Sequence, residues 1–509
     1  MKNIGIRRWF SGALAHAGLS VLLPLLGSNA VAESGYSLVF DTNQFTVKTL
    51  KVGTKTVTYR AYEGIVYVAN PVDTNYQSMN VYVPVEYYEG KSVGAYNAET
   101  APIFLPISVG GYMPGRAARP GGFGGRGGPG GGPPGGPGGP GGPGGPGGPG
   151  GGTLGTALLK GLVVAAPGAR GRTLQDQSGR YTGKAPACIV DLKAAVRYLR
   201  HNAKLIPGNT EKIISNGTSA GGALSALLGA TGNNPDYEPY LKAIGAAYEP
   251  DSIFAASCYC PITDLDNADA AYEWLFSGIN NYAGRGGGGS LTPDQVKVSD
   301  QLKSLFPAHL NSLGLKKADR TALALDANGE GTFKDYVKSY VIASALKALR
   351  EGKDLSGLTW MTIKDGTVTD IDFAKFVAYA TRMKTPPAFD SLELRSPENN
   401  VFGTATIDNQ HFTKFSKDYS ADHSLADASI VKMMNPTHYI GAEGTTTAPH
   451  WRIRHGTVDR DTSLAVPVIL ATTLQNHGFN VDFAMPWAQG HGGDYDLDEL
   501  FAWIHQVCR

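Results

Sequence analysis

Apolar and polar positions alternate from Tyr36 to about Tyr88, in runs such as Thr56-Val57-Thr58-Tyr59-Arg60-Ala61-Tyr62 and Met79-Asn80-Val81-Tyr82-Val83-Pro84-Val85. A period of two in β-branched and aromatic residues predicts antiparallel strands leading a sheet. The pattern then changes to short strand-like runs without alternation, mostly apolar in Ala101 to Val109, Gly161 to Pro167 and Phe254 to Cys260 and centred on Ile213-Ile214 in Lys212 to Asn216. Such runs suit strands buried on both faces, as in a parallel sheet. Between them Ile189, Leu192, Val196 and Leu199 recur at helical spacing, and a further helix opens near Ala220.

This rhythm stops between Ile262 and about Asn435, where amphipathic helical stretches (Asp335 to Leu349, Asp370 to Thr381) and a second glycine run (Gly284 to Gly289) take over. It resumes with a strand at His450 to His455, a helix at Ser463 to His477, a strand at Phe479 to Met485 and a last helix at Leu497 to Val507. The expected architecture is therefore an α/β core with a mainly helical lid inserted between two adjacent core strands. Residues 33–261 and 436–509 are assigned to the core and 262–435 to the lid. A chain of 509 residues exceeds the size at which single cores usually stop growing, so two or more structural units are expected.

Two segments fall outside that pattern. Lys2, Arg7 and Arg8 precede an apolar stretch ending in Ser20 to Leu26, and Ala30-Val31-Ala32 supplies a small-residue cleavage site. Residues 1–32 are expected to be a signal peptide rather than an anchor, because the stretch is short and broken by Pro24. The mature protein is accordingly expected to be secreted or periplasmic, with no membrane partner. From Gly115 to Gly152 the chain is almost entirely Gly and Pro. A collagen-like strand would need three chains and a long uninterrupted repeat, so a disordered surface loop is expected at 115–152.

Charge narrows the partners. Forty-five basic and forty-four acidic residues give a formal net charge of +1, with no long run of either sign and so no footprint for nucleic acid. Four cysteines follow the signal: Cys188, Cys258, Cys260 and Cys508. They lack the C-x-x-C spacing or neighbouring histidines of a zinc motif, so they are expected to be structural thiols or to form one or two disulfides.

Gly217-Thr218-Ser219-Ala220-Gly221-Gly222 fits G-x-S-x-G at a strand-to-helix turn, the context in which a serine hydroxyl is lifted above a sheet as a nucleophile. The Ala220 amide then points to where an oxyanion would form. Gly110-Gly111 follows a buried strand at the place of a second oxyanion donor, without the histidine that often precedes such glycines. The acid of the triad is sought in Arg454-His455-Gly456-Thr457-Val458-Asp459-Arg460-Asp461; Asp459 is chosen over Asp461 because it is closer to the strand end. The base is His491, flanked by Gly490 and Gly492 after the last strand. His455 comes too early for the order Ser, Asp, His, and His477 lies in a helix. This chemistry calls for no metal and no cofactor.

These strings, together with Val109 to Gly115, Lys384-Thr385-Pro386-Pro387-Ala388-Phe389-Asp390 and Asp494-Tyr495-Asp496-Leu497, resemble the bacterial tannases of lactobacilli, members of the α/β-hydrolase superfamily. The resemblance takes in essentially all of the chain after residue 32 except the Gly-Pro segment. It implies a serine esterase that releases gallic acid from the galloyl ester and depside bonds of hydrolysable tannins. On the same basis Ser219, Asp459 and His491 match the triad. Lys384, Glu398 and Asp461 match residues that hold the trihydroxyphenyl ring, and Ile262 matches an apolar ring contact. The chain departs from the family in its export signal, its Gly-Pro segment and its cysteines. Thr218 and Gly492 exclude the disulfide that ties the serine and histidine neighbourhoods together in fungal tannases and feruloyl esterases. The alternatives are an esterase for another hydroxylated aromatic acid, such as ferulate or chlorogenate, and a binding protein on a hydrolase scaffold. The sequence leaves the oligomeric state open.

Overall fold

In a computed structural model, residues 35–121, 151–284 and 287–509 are described. The expected signal peptide (1–32) and most of the Gly-Pro segment lie outside them. Strands β1 (Thr46–Val52), β2 (Lys55–Val66) and β3 (Ser78–Pro84) form an antiparallel meander, the product of the leading alternation. There follow β4 (Pro102–Pro106), α1 (Gly151–Leu159), β5 (Val163–Pro167), α2 (Ala187–His201), β6 (Asn209–Thr218), α3 (Ala220–Ala230), α4 (Glu238–Ala243) and β7 (Ala255–Tyr259).

The insertion contains α5 (Leu265–Phe276), β8 (Asn281–Gly284), β9 (Gly287–Ser290), α6 (Pro293–Ser312) and α7 (Thr332–Arg350). It continues with β10 (Met361–Lys364), β11 (Thr367–Ile371), α8 (Phe373–Ala380), α9 (Pro397–Val401), α10 (Lys414–Tyr419) and α11 (Ala428–Met433). The chain closes with β12 (His450–Arg454), α12 (Ala465–Asn476), β13 (Asn480–Ala484) and α13 (Leu497–Val507).

Nine strands make one sheet in the order β1-β2-β3-β5-β4-β6-β7-β12-β13. From β5 onward neighbours run parallel, and β3 meets β5 antiparallel. Chain order runs outward in one direction from β4 to β5 and in the other from β6 to β13. The reversal opens a crevice beyond the C-terminal ends of β4 and β6, where ligands of open α/β sheets bind. Continuous apolar runs fill the middle of the sheet: all five residues of β4, β5 and β7 are buried. Every residue of α3 is buried against β6 and β7 as well. Among the described residues no helix is long and apolar enough to cross a membrane.

The insertion is mainly helical, as expected, and also carries two antiparallel pairs, β8–β9 and β10–β11. Gly284 and Gly287 to Gly289 of the second glycine run lie in the first pair, and Asp370 and Ile371 belong to strand β11 rather than to the helix that follows. The insertion and the core together form one compact body, Tyr36–Arg509. Aromatic contacts join the two parts, Tyr340 to Phe483 at 4.7 Å and Trp360 to Trp487 at 6.1 Å between ring centroids. Finally, the Gly-Pro segment has ordered ends. Gly115 exchanges two backbone hydrogen bonds with Ala169, and the Ala118 carbonyl accepts from Asn80 and Tyr82. On the far side Gly151 and Gly152 open α1. All four cysteines are buried free thiols.

Candidate functional site

Ser219 stands between β6 and α3 with φ 61° and ψ −123°. A non-glycine residue at positive φ costs on the order of 1–3 kcal/mol and persists only where its surroundings enforce it. Glycines do so here. A Cβ on Gly217 would stand 2.1 Å from the Gly221 carbonyl oxygen, and one on Gly221 would stand 2.7 Å from that of Val109. Strand, helix and the segment after β4 can therefore meet only because these side chains are missing. The close approach brings Gly110 and Gly111 beside the elbow. Their amides, like that of Ala220 at the first turn of α3, have no hydrogen-bond partner among the described residues. Gly111 has φ +57°, which glycine adopts without strain.

The loops after β12 and β13 carry the other two groups, stitched together by Val458 N–H to Gln489 O (3.1 Å) and Ala488 N–H to Thr457 Oγ1 (2.8 Å). His491 Nε2 lies 2.8 Å from Ser219 Oγ, and its Nδ1 lies 2.9 Å from Asp459 Oδ2. Asp461 donates its backbone N–H to Asp459 Oδ1 at 2.9 Å. The other Asp461 contact with the histidine is weaker, its Oδ2 standing 3.9 Å from Nε2. Burial opposes charge on Asp459, but the His491 and His455 imidazoles and these hydrogen bonds hold its carboxyl well below the usual range. Burial likewise disfavours the His491 imidazolium, and the Asp459 carboxylate outweighs it, raising His491 well above its ordinary value. Such a chain can pass a proton from hydroxyl to imidazole while a fixed carboxylate steadies the charge that forms.

Lys384, Glu398 and Asp461, far apart in sequence, converge beside this chain. Lys384 Nζ lies 3.4 Å from Asp461 Oδ2 and 3.9 Å from the centroid of the Phe389 ring. Glu398, near the start of α9, is buried and raised by that burial and by Asp461, with Lys384 and Arg172 opposing. Ile262 is buried at the entry to the insertion, two residues past Cys260.

Sequence reasoning missed the side chains that position these groups. Tyr272 Oη on α5 accepts the Met383 and Lys384 amides, each at 3.1 Å, and donates to the Arg460 carbonyl at 3.0 Å. It therefore ties the backbone of Lys384 to the loop of Asp461. Asp269, one turn earlier, accepts the Phe389 and Asp390 amides at 2.7 and 3.0 Å, and burial beside Asp390 pushes its carboxyl up to about 7. Arg172 donates to the Gly111 carbonyl at 2.9 Å and to Asn400 at 2.9 Å, linking the elbow region to α9. A tyrosine at helical spacing reads as core, and only the fold reveals its hydroxyl as a strut. Tyr272→Phe leaves two amides unpartnered, at about 1–3 kcal/mol. The expected result is a KM for the substrate raised about tenfold, with kcat for a small ester that does not reach Lys384 unchanged. Steady-state kinetics on both esters checks it.

Cys260 also touches this centre. Its thiol donates to the Gly492 carbonyl at 3.4 Å and offers a soft ligand atom beside His491 and Asp459.

The family described as BD-FAE matches residues 177–276. The esterase LipQ of Mycobacterium tuberculosis is 31% identical over 100 residues, 20% of this chain and 23% of that protein. Solved structures are similar over far more. A tannase of Fusobacterium nucleatum is 49% identical over 93% of this chain and 100% of its own, with a TM-score of 0.85. The tannin acyl hydrolase of Lactobacillus plantarum is 43% identical over 93% and 99%, at 0.86. A tannin acyl hydrolase in complex with ethyl gallate is 44% identical over the same shares, at 0.85.

Proposed function

The chain belongs to the tannase family, and from that premise we propose that it is a serine esterase releasing gallic acid from galloyl esters and depsides by way of Ser219, His491 and Asp459. In this reading Ser219 Oγ attacks the ester carbonyl and His491 Nε2 takes its proton. Asp459 holds the ring through Nδ1, and the Ala220 amide, with Gly110 and Gly111, receives the oxyanion. His491 returns the proton to the leaving alcohol or phenol, then activates water against the acyl-enzyme. On the export reading of residues 1–32, hydrolysis takes place outside the cytoplasm.

The observation that carries the galloyl assignment is the convergence of Lys384, Glu398 and Asp461 beside the serine–histidine pair. Three adjacent phenolic hydroxyls need acceptors, which the two carboxylates supply, and a cation to balance them. The relative captured with ethyl gallate supports the same ligand class. A site of buried polar groups rejects an analogue without hydroxyls by about 10⁴ to 10⁵. Methyl gallate is therefore expected to be cleaved with a kcat/KM at least about 10⁴ above that for methyl benzoate. Lys384→Met should lower the methyl gallate value by about 10- to 100-fold, the worth of a charged hydrogen bond. Gallate release measured by chromatography tests both. Equal turnover of methyl ferulate would leave an esterase and discard the trihydroxyphenyl pocket.

A further inference from the structure

Cys260 ends the run of β7 with φ 36°, its amide bonded to the Arg454 carbonyl at 2.6 Å. This kink turns the thiol toward the loop of His491. One ligand atom each from Cys260, His491 and Asp459 falls within 4.8 Å of the other two. Around a tetrahedral zinc ion, sulfur, nitrogen and oxygen ligands stand about 3.3–3.8 Å apart. An approach of about 1 Å closes the set. The charges also match: a thiolate and a carboxylate neutralise a dication, so a buried ion carries no net charge with its ligands. His455 lies behind Asp459: it is wholly buried, its ring nitrogens have no hydrogen-bond partner among the described residues, and Nδ1 stands 3.8 Å from Asp459 Oδ2. An ion can enter past His491, whose side chain is 15% exposed at the crevice.

We infer that Cys260, His491 and Asp459 form an inhibitory site for a thiophilic divalent cation such as zinc or cadmium. On binding, the Cys260 S–H bond is replaced by a sulfur–metal bond and its proton leaves to solvent. Where the His491 ring is protonated it too releases a proton to solvent, and its freed lone pair and one Asp459 oxygen complete the three protein ligands, with water in the fourth position. If the metal takes Nε2, it displaces the hydroxyl of Ser219. If it takes Nδ1, the ring proton moves to Nε2. Either way the ring can no longer accept the serine proton, and hydrolysis stops. No oxidation is involved, and a chelator reverses the change.

The loss of hydrolysis rests on His491 being the base; the binding of the ion does not, and the test separates the two. Cobalt(II) is titrated into the mature chain, and zinc inhibition of methyl gallate cleavage is measured in parallel. The expected result is a near-ultraviolet thiolate-to-cobalt band that saturates at one equivalent, together with zinc inhibition reversed by EDTA. The band should vanish in both Cys260→Ser and His491→Asn, and the zinc inhibition constant in Cys260→Ser should rise at least about tenfold. Should Cys260→Ser fail to fold, loss of the band in His491→Asn decides the matter. A wild-type chain without the band, or a band that survives either substitution, overturns the site. Hydrolysis that continues with cobalt bound at this site overturns the inhibition, and with it the role of His491 as base.

Discussion

Ser219→Ala is expected to lower kcat for methyl gallate by about a millionfold, the scale on which loss of a serine nucleophile disables the whole proton-transfer chain. The substitution removes only the hydroxyl. Alanine is no more strained than serine at φ 61°, and the glycines that shape the turn remain. Circular dichroism and the melting temperature should therefore stay close to those of the parent. Residual turnover, if seen, should be that of the amides around Ala220 and the ring contacts at Lys384, about 10³- to 10⁴-fold over water. A variant keeping more than about 1% of parental kcat would remove Ser219 from the chemistry, since no surviving group could supply so much.

The second large effect distinguishes two aspartates that the sequence offers within three residues. Asp459→Asn should lower kcat about 10⁴-fold, because an amide cannot hold the Nδ1–H tautomer as a carboxylate does. It should also move the acid limb of kcat/KM. In the proposed mechanism the active base is the neutral imidazole, so activity is expected to rise as pH climbs through the His491 value. Asp459 lifts that value above the ordinary range, and removing its charge lets the limb fall to lower pH. Asp461→Asn should instead act mainly on KM, since its carboxylate pairs with Lys384 at 3.4 Å and stands 3.9 Å from His491 Nε2. pH–rate profiles of the two variants decide: a tautomer defect following Asp461 rather than Asp459 would exchange their roles.

Much of this was legible because it is local. The G-x-S-x-G string, the glycines around His491 and the buried runs of β4 to β7 each constrain backbone within a few residues. Helix α13, for its part, has the bounds that its periodicity predicts. The choice between Asp459 and Asp461 rested on nearness to the end of β12, and the structure gives Asp459 the short bond to His491. Lys384 and Glu398 were legible only through family resemblance. Nothing in their own surroundings distinguishes them from a surface ion pair; long-range contacts of α5 and α9 bring them to the crevice. The same holds for Tyr272, Asp269 and Arg172, whose partners lie far along the chain. Cys260 reads in the sequence as no more than a structural thiol for a related reason. Metal motifs are recognised by spacing, and its neighbours arrive from the loops after β12 and β13. Hairpins β8–β9 and β10–β11 are not legible in the sequence because β9 is mostly glycine, which carries no alternation, and the strands of both are only four or five residues long.

Strand β12 pairs with β7 residue for residue, from His450 against Ala255 to Arg454 against Tyr259, although the whole insertion lies between them in the chain. This arrangement fixes an order of events during synthesis. A ribosome delivers β7 long before its partner, at about 5–20 residues per second. For that interval a strand that is wholly buried in the finished fold presents an open edge, the kind of surface on which chains add to one another. Closing so long a loop is slow in time even though its entropy grows only with the logarithm of its length. The nascent chain should therefore be most prone to aggregate after Tyr259 has emerged and before Arg454 has. Truncations ending inside the insertion should precipitate, and chains that include α12 and β13 should stay in solution.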